Sequence, residues 1–304
     1  MTTTQRQDLP HLSPLANDAV HLTDADRLQF IQADRWIGFT QAERALDLLH
    51  DLMHHHPCAR MPCLLIYGDS GMGKTKIIER FRRCFLAKFD TETGVEHHPI
   101  IVMEMPPGPE ERRFYAQLLD TLNAPSYGQE RLDVLERTAL RLLKIIKPRL
   151  LAIDEVHNLL SGTARQQRRS LNLLKFIANS LRIPIVCLGT QDALHTMQSD
   201  AQISSRFEPL HLPRWQADAS FRQLLATLET ILPLRKPSNL VRKAFVKRIH
   251  TQTDGITGNV VRLLSRAAIH AILAGEEAIN DEMLTAAQYP PQLQRDSAEV
   301  LASL

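Results

Sequence analysis

Residues 63–79 read CLLIYGDSGMGKTKIIE: a short apolar run, a turn rich in glycine and the start of a helical pattern. Gly68, Gly73, Lys74 and Thr75 fit the spacing G-x-x-x-x-G-K-[ST], and the apolar run predicts the buried strand that such a loop follows. The stretch is therefore predicted to be a phosphate-binding loop between a strand and a helix.

The residue types in this loop suit a phosphate ligand. Glycines allow backbone dihedrals closed to other residues, so that N–H groups can approach phosphate oxygens. Lys74 can reach the β- and γ-phosphates, and the Thr75 hydroxyl can bind Mg²⁺. The alternative is a glycine turn with a structural role only. The predicted nucleotide-binding residues are Gly68, Asp69, Ser70, Gly71, Met72, Gly73, Lys74, Thr75 and Lys76.

A second acidic motif follows another apolar run. Residues 150–155 read LLAIDE, and they come roughly seventy residues after the loop, where an ATP site has its second half. Asp154 is predicted to hold Mg²⁺, and Glu155 to orient and deprotonate the attacking water. A helix cap at Asp154 is the alternative.

Two further polar residues lie at positions where an ATP site has functional groups. Thr190 ends the next predicted strand, where its hydroxyl can contact the γ-phosphate or the lytic water; a strand-end turn residue is the alternative. Arg206 follows that strand and its helix, where it can project from the subunit edge and complete a neighbour's ATP site. An intramolecular salt bridge is the other interpretation of Arg206.

Length and composition are those of a globular protein of one large or two unequal domains. The chain has 304 residues, of which 44% are hydrophobic and 23% charged. The sequence has no apolar stretch of membrane-spanning length and no secretory signal pattern, so we expect a cytoplasmic protein.

Apolar runs alternate with helical patterns as far as residue 213. These runs lack strand-type alternation, which predicts strands covered on both faces in a parallel sheet, with ligands at their carboxyl ends. The pattern also predicts a helix over 76–89, directly after the loop. After residue 213 only helical segments follow. The expected organisation is a flexible arm with one short helix (1–33), an α/β nucleotide-binding domain (34–213), a helical lid (214–289) and a tail (290–304).

Basic residues cluster although the net charge is only +2. The stretches 137–149, 157–190 and 231–252 contain no acidic residue, and such blocks suit a polyanion. A solvated helix face or a subunit interface explains each block equally well, because charge alone does not specify a partner.

With these elements in order, the chain resembles the AAA+ ATPases, which are P-loop NTPases with a parallel sheet flanked by helices and a C-terminal helical lid. Several segments are similar to the TniB family of transposon-encoded ATPases akin to TnsC, and the similarity covers roughly 30–275. These segments are IDEVHNLLSGT (153–163), RIPIVCLGT (182–190), RFEPL (206–210), LPRW (212–215), RWIG (35–38) and Met61-Pro62.

The resemblance implies a regulator of transposition. Proteins of this kind bind double-stranded DNA with ATP, assemble on it as rings or helical filaments, and link a target-selecting TniQ-type protein to a DDE transposase. Hydrolysis takes the assembly apart. The alternative is an ATPase of the replication-initiator, helicase-loader or secretion type that acts on a protein partner. A nucleotide-gated scaffold without turnover is a third.

The resemblance also assigns roles to residues. It implies that Lys74 and Thr75 bind nucleotide and Mg²⁺, that Asp154 and Glu155 are the metal and catalytic carboxylates, that Thr190 is the first sensor and that Arg206 is a finger in trans. Trp36, Ile37 and Gly38 would lie beside the adenine, and Arg112 and Arg113 would meet DNA phosphates, although these two arginines can equally be a solvated helix face. The resemblance also implies an arginine at the start of the third helix of the lid, and in this chain that position is Gly258. Arg262, one helical turn later, is the candidate substitute.

Overall fold

A computed structural model describes residues 9–58, 60–124 and 130–288, which form two compact units. One unit spans Gly38–Pro213, and the other combines the described residues before Gly38 with those after Pro213. The tail predicted at 290–304 lies outside the described residues. Among the described residues, no helix has the length and apolar character that a membrane crossing requires.

The larger unit contains a five-stranded parallel sheet in the order β4-β5-β6-β1-β7. Strands β5 and β6 are buried along their whole length, which confirms the prediction of a sheet covered on both faces. A separate antiparallel hairpin is formed by β2 and β3. The strands are β1 Cys63–Tyr67, β2 Lys88–Asp90, β3 Val95–His97, β4 Ile100–Glu104, β5 Leu150–Asp154, β6 Ile185–Gly189 and β7 Phe207–His211.

Helices connect the strands of the sheet and build the second unit. Fourteen helices lie within the described residues. They are α1 Pro14–Ala19, α2 Asp24–Gln32, α3 Thr40–His54, α4 Lys74–Arg83, α5 Glu111–Thr121, α6 Leu132–Ile146, α7 Val156–Leu159, α8 Ala164–Leu181, α9 Gln191–Gln198, α10 Ala201–Ser204, α11 Ala219–Ile231, α12 Lys243–Thr253, α13 Thr257–Leu273 and α14 Asp281–Ala286.

The region before residue 34 differs from the expected flexible arm with one short helix. Its described part forms α1 and α2 and belongs to the helical unit. Arg27 of α2 is fully buried, and its guanidinium donates hydrogen bonds to the carboxylate of Glu277 and to the carbonyl oxygen of Pro233. Because a buried charge requires such partners, this pair fixes α2 on the lid helices.

The helix after the phosphate loop is shorter than predicted. It ends at Arg83, and Phe89, which was expected in the helix, lies in strand β2. The hairpin turn is closed by the Asp90 carboxylate, which accepts a hydrogen bond from the N–H of Glu92, and by Gly94, whose φ is 67°. A strand of three residues is too short to show a pattern of alternating apolar and polar residues, so the sequence did not predict the hairpin.

Chain direction in the sheet decides where each candidate residue lies. All five strands are parallel, so their carboxyl ends meet at one edge, as expected for a ligand site in an α/β sheet. Tyr67, Asp154 and Gly189 end their strands there. Arg206 precedes β7 and lies at the opposite, amino edge, where Phe207 pairs with Cys63.

Candidate functional site

The phosphate loop connects β1 to α4 and depends on its glycines. Gly71 and Gly73 have φ values of 79° and 98°, which side chains strongly disfavour. A Cβ atom at Gly68 would lie 2.5 Å from the carbonyl oxygen of Leu212, so only glycine lets the two backbone segments approach this closely. The loop therefore has the backbone that a phosphate cradle requires.

Lys74 is the first residue of α4 and is only 7% exposed. Its Nζ donates hydrogen bonds of 2.9 Å to the carbonyl oxygens of both Gly68 and Asp69. Burial lowers the pKa of Lys74, and the carboxylates of Glu155, Asp154 and Asp69 oppose that shift. A buried ammonium held only by carbonyl oxygens and neighbouring carboxylates is well placed to accept an anionic ligand.

Thr75 and Asp154 bring together the loop and the end of β5. The Thr75 hydroxyl donates a 2.6 Å hydrogen bond to Oδ2 of Asp154, which is 5% exposed. The other carboxylate oxygen, Oδ1, accepts a hydrogen bond from the N–H of Glu155 at 2.8 Å. A hydroxyl and a carboxylate at this spacing fit Mg²⁺, which takes few protein oxygens and completes its shell with water and phosphate.

Glu155 occupies an unusual backbone conformation. Its φ of 53° is left-handed, which is uncommon for a residue other than glycine and typical of functional sites. Its carboxylate oxygen Oε2 lies 3.1 Å from Nε2 of His157, two residues further on in α7. The sequence analysis did not identify His157. The available signal was a polar residue two positions after Glu155.

Thr190 lies between the carboxyl end of β6 and the first residue of α9, at the N-cap position of that helix. Its Oγ1 is buried and has no hydrogen-bond partner among the residues that the structure describes. It makes no side-chain cap for the helix, so the strand-end turn interpretation leaves its hydroxyl unexplained. An unpartnered buried hydroxyl beside a phosphate loop is a candidate ligand contact.

Arg206 does not join these residues. At the amino edge of the sheet its Nη1 donates a 2.7 Å hydrogen bond to Oδ1 of Asn179, and its Nε is buried without a partner among the described residues. The expected alternative, an intramolecular salt bridge, is not among the described contacts. Strand β1 separates the two edges by roughly 13 Å.

An open pocket of about 490 Å³ lies beside Arg206 at this edge. Helix α3 contributes Asp51, and the residue after it, His55, also lines the pocket. The start of β1 contributes Cys63, and the segment leading into β7 contributes Ser205. Burial raises the pKa of the Cys63 thiol to about 11, and Arg206 opposes the shift. The arginine therefore lies beside a cavity and far from the phosphate loop of its own chain.

The residues predicted beside the adenine lie where the two units join in sequence. Trp36 and Ile37 belong to the helical unit and Gly38 to the sheet unit. Within the helical unit, Ile37 lines a pocket of about 350 Å³ together with the apolar side chains of Ile31 and Leu264.

The lid-arginine candidate lies on the third helix of the lid. Gly258 is the second residue of α13, and Arg262 is exposed one turn later. Arg262 lines a pocket of about 450 Å³ within the helical unit, together with Asn259 and Arg266. This pocket places a second arginine, Arg266, near the candidate.

Arg112 and Arg113 lie in the first turn of α5, the helix that follows β4 in the chain, and both are exposed. Arg113 donates a 2.7 Å hydrogen bond to the carbonyl oxygen of Pro107 and lies 3.4 Å from the carboxylate of Glu110. The start of α8 is adjacent, since a Cβ atom at Gly162 would lie 3.1 Å from Cγ of Pro109.

The basic blocks differ in how far acidic partners neutralise them. Arg235 and Arg248, in the stretch 231–252, pair with Glu277 and Asp281. In the stretch 157–190, Lys175 pairs with Asp200 at 2.7 Å. Three exposed arginines in the first turns of α8 have no ion pair among those described. They are Arg165, Arg168 and Arg169.

Metal ligation elsewhere finds no support in the side chains. No group of three His, Cys, Asp or Glu residues in the described part of the chain could hold a metal ion. The run of histidines at 54–56 follows the end of α3 and is exposed. The oxygen pair of Thr75 and Asp154 is therefore the described metal candidate.

Solved structures similar to this chain include the ORC2 protein of Aeropyrum pernix in ADPNP–ADP complexes, Cdc6p of Pyrobaculum aerophilum and the Aeropyrum pernix ORC1 protein in complex with DNA. Their TM-scores are 0.60, 0.61 and 0.60 at identities of 16%, 16% and 14%. The matches cover 85%, 90% and 86% of this chain and 71%, 73% and 68% of those chains. The likeness confirms the AAA+ fold.

Sequence comparison gives a family. The family described as bacterial TniB protein matches residues 27–217, which is more than half of the chain. No curated protein matches the sequence. The matched region contains the phosphate loop, both carboxylates, Thr190 and Arg206.

Proposed function

The chain belongs to the TniB family of bacterial proteins, and on that premise we propose that it is an AAA+ ATPase that regulates transposition by assembling on DNA. The observation that carries the ATPase part is the contact between Thr75 and Asp154 at 2.6 Å, beside a buried Lys74. It joins the phosphate loop to the acidic strand end, which is the arrangement that a nucleotide with Mg²⁺ requires.

Each residue of the carboxyl edge has a role in ATP binding and hydrolysis. Lys74 exchanges its two carbonyl partners for the β- and γ-phosphates, and it loses little solvation because it is already buried. Thr75 and Asp154 would hold Mg²⁺, which would neutralise phosphate charge there. Glu155 takes the proton of the attacking water, and the Thr190 hydroxyl donates to the γ-phosphate or positions that water.

Arg206 acts on the nucleotide of a neighbouring copy. Its place at the amino edge of the sheet, beside an open pocket, supports a role outside its own ATP site. An arginine inserted into the next subunit's site neutralises charge that develops in phosphoryl transfer. Assembly and hydrolysis would then be coupled in a ring or a helical filament.

Three residues at the junction of the two units in the sequence are the candidates for contact with the base. Trp36, Ile37 and Gly38 would contact the adenine, and the pocket lined by Ile37 supports this role. Arg262 replaces the lid arginine in sensing the nucleotide, because Gly258, at the usual position, has no side chain.

DNA is bound through phosphates by Arg112 and Arg113. One solved structure with this fold, the ORC1 protein, is in complex with DNA. The unpaired arginines at the start of α8 extend the same surface, and the N-terminus of α5 adds a favourable field for anions. Such contacts carry no base code, so binding should be independent of sequence. The assembled protein then links a TniQ-type target-selection protein to a DDE transposase.

The proposal is tested by light scattering of the protein with duplex DNA. With ATP and Mg²⁺ the wild type should form large assemblies, and Lys74→Ala should form none because it has lost the buried ammonium. Lys88→Ala is the matched control, since Lys88 is exposed and lies in strand β2 of the separate hairpin. A wild type that remains monomeric in every nucleotide state contradicts the proposal.

A loader or initiator ATPase that acts on a protein partner is the second candidate. The similarity to the ORC and Cdc6 proteins favours it. The two candidates differ in the partner that stimulates hydrolysis. Stimulation by a DDE transposase or a TniQ-type protein supports transposition, whereas stimulation by a replicative helicase supports the second candidate.

A further inference from the structure

We propose that Arg82, Arg83, Leu86 and Phe89, here called the α4–β2 patch, form a docking site for a partner protein. The occupant that fits is an extended peptide segment with acidic and apolar side chains. The patch lies where α4 ends at Arg83 and the hairpin begins, and its use does not depend on the proposed hydrolysis of ATP.

Two large apolar side chains of the patch are exposed. Leu86 and Phe89 are 74% and 65% exposed, and among the described residues only Leu15 of α1, at 72%, is comparable. Phe85, beside them, is instead held in place, since its ring centroid lies 5.0 Å from that of Phe81. Single exposed apolar side chains are common, but two of them three residues apart form a patch that suits a partner.

The register of the hairpin determines the face on which Phe89 lies. Lys88 pairs with His97, and Phe89 pairs with Glu96. Nδ1 of His97 donates a 2.9 Å hydrogen bond to the carbonyl oxygen of Ile146, the last residue of α6. Because successive side chains of a strand point to opposite faces, Phe89 lies on the face away from this contact. The hairpin is thus fixed on α6 by one face and presents Phe89 on the other.

Strand β2 also has an open edge. It pairs with β3 alone among the described strands. The backbone groups on such an edge can bind an added extended peptide, which gains main-chain hydrogen bonds and places alternate side chains on one face. An extended segment along β2 would therefore cover Phe89 with every second side chain.

Charge selects the kind of peptide. Residues 80–87 include three arginines and no acidic residue. Arg82 and Arg83 are exposed, and neither side chain has a hydrogen bond or an ion pair among those described. Cations suit the end of a helix, but this does not account for the apolar pair beside them. A segment with acidic and apolar side chains satisfies both, whereas DNA phosphates would leave Leu86 and Phe89 uncovered.

The test uses a labelled synthetic peptide in which a run of glutamates precedes a segment of alternating valine and threonine. Fluorescence anisotropy at low salt should show binding to wild type. Leu86→Ala and Phe89→Ala should each weaken binding at least about tenfold, because apolar contact area is lost. Replacing Arg82 and Arg83 by glutamine should weaken it about fivefold, and less as salt is added. Leu15→Ala is the matched control, since Leu15 is equally exposed but lies in the helical unit.

Peptide variants test the geometry without altering the protein. A lysine run in place of the glutamates, or serines in place of the valines, should abolish binding. Two further peptides carry N-methyl groups on alternate residues, each blocking the N–H groups of one edge of the extended segment. One of them should lose binding and the other should retain it. Equal binding of both would show that no strand is added to β2.

Several outcomes overturn the inference. They are the absence of binding to wild type, equal binding of the lysine peptide, and a Phe89→Ala variant that binds as wild type does. A lower DNA affinity in Phe89→Ala assigns the patch to nucleic acid instead, and a lower mass of the nucleotide-free protein by light scattering assigns it to contacts between copies.

Nucleotide binding separates this inference from the proposed function. A fluorescent ATP analogue should bind wild type and Phe89→Ala equally, because the phosphate loop lies at the other end of α4. A wild type that binds the peptide but no nucleotide supports the docking site and contradicts the ATPase proposal.

Discussion

At the carboxyl edge of the sheet Lys74, Thr75 and Asp154 have hydrogen-bond partners within the chain, whereas at the amino edge Arg206 faces a pocket with part of its guanidinium unpartnered among the described residues. Thr75 and Asp154 meet at 2.6 Å, and Lys74 is enclosed by loop carbonyls. Arg206 has one described side-chain partner, Asn179. One edge is thus nearly complete within a single chain, and the other is not.

This difference indicates which half of the chemistry a single copy can perform. Binding of the phosphates depends on groups that the fold already brings together, so we expect it in a monomer. Fast hydrolysis needs a further positive charge, in addition to Lys74, at the leaving phosphates. Arg206, the candidate for that charge, lies a strand length away within the same chain. We therefore expect dilution of the protein to lower turnover, which needs a neighbouring copy, and to leave nucleotide affinity unchanged.

The largest effect should come from the carboxyl edge. Glu155→Gln removes the proposed general base and should lower kcat by about a thousandfold, while ATP affinity should stay close to that of wild type because Lys74, Thr75 and Asp154 are intact. Turnover at saturating ATP and binding of a fluorescent ATP analogue measure the two effects. Equal losses of binding and turnover would show that Glu155 is part of the binding site.

A smaller effect is expected from the amino edge. Arg206→Ala should lower kcat of the assembled protein by about a hundredfold, as when one charge-stabilising donor is lost, without weakening ATP binding. Mixing Arg206→Ala with Lys74→Ala subunits should restore part of the activity, because mixed interfaces combine an intact loop with an intact arginine. Mixtures that stay inactive would show that Arg206 acts within its own chain.

The proposed DNA surface lies at the carboxyl edge, and the effect of losing it should be weaker still. Replacing Arg112 and Arg113 by glutamine would remove two proposed phosphate contacts and should reduce DNA affinity about tenfold near physiological salt, with a shallower salt dependence. Fluorescence anisotropy at several salt concentrations measures both. Arg131→Gln is the control, because it is exposed but lies beyond α5. An unchanged salt slope would assign Arg112 and Arg113 to a solvated helix face.

Much of the sheet unit could be predicted because its signals are local. The loop pattern at Gly68–Thr75 and the unbroken apolar runs of β5 and β6 each determine an element from a few adjacent residues. The chain order of the strands then places Asp154 and Thr190 at the same edge as the loop.

Contacts between residues distant in sequence could not be predicted. Arg27 and Glu277 are 250 residues apart, and neither one signals that the other neutralises it, so the first helices were taken for an arm. The contact of His157 with Glu155 depends on the left-handed backbone of Glu155, which no propensity for glutamate indicates. The pocket beside Arg206 likewise depends on how α3 lies over the start of β1.

The smallest effect is expected from Asn179, the described side-chain partner of Arg206. Asn179→Ala removes a single hydrogen bond of 2.7 Å and leaves the guanidinium in place, so we expect kcat of the assembled protein to fall about threefold, or about 0.6 kcal/mol. Asn179→Asp should restore the orientation, and its charge would hold the arginine more firmly on its own chain and delay assembly. Turnover measured across a dilution series separates the two effects. If Asn179→Ala hydrolyses ATP as wild type does at every concentration, Asn179 does not orient Arg206, and the amino edge acts through its pocket instead.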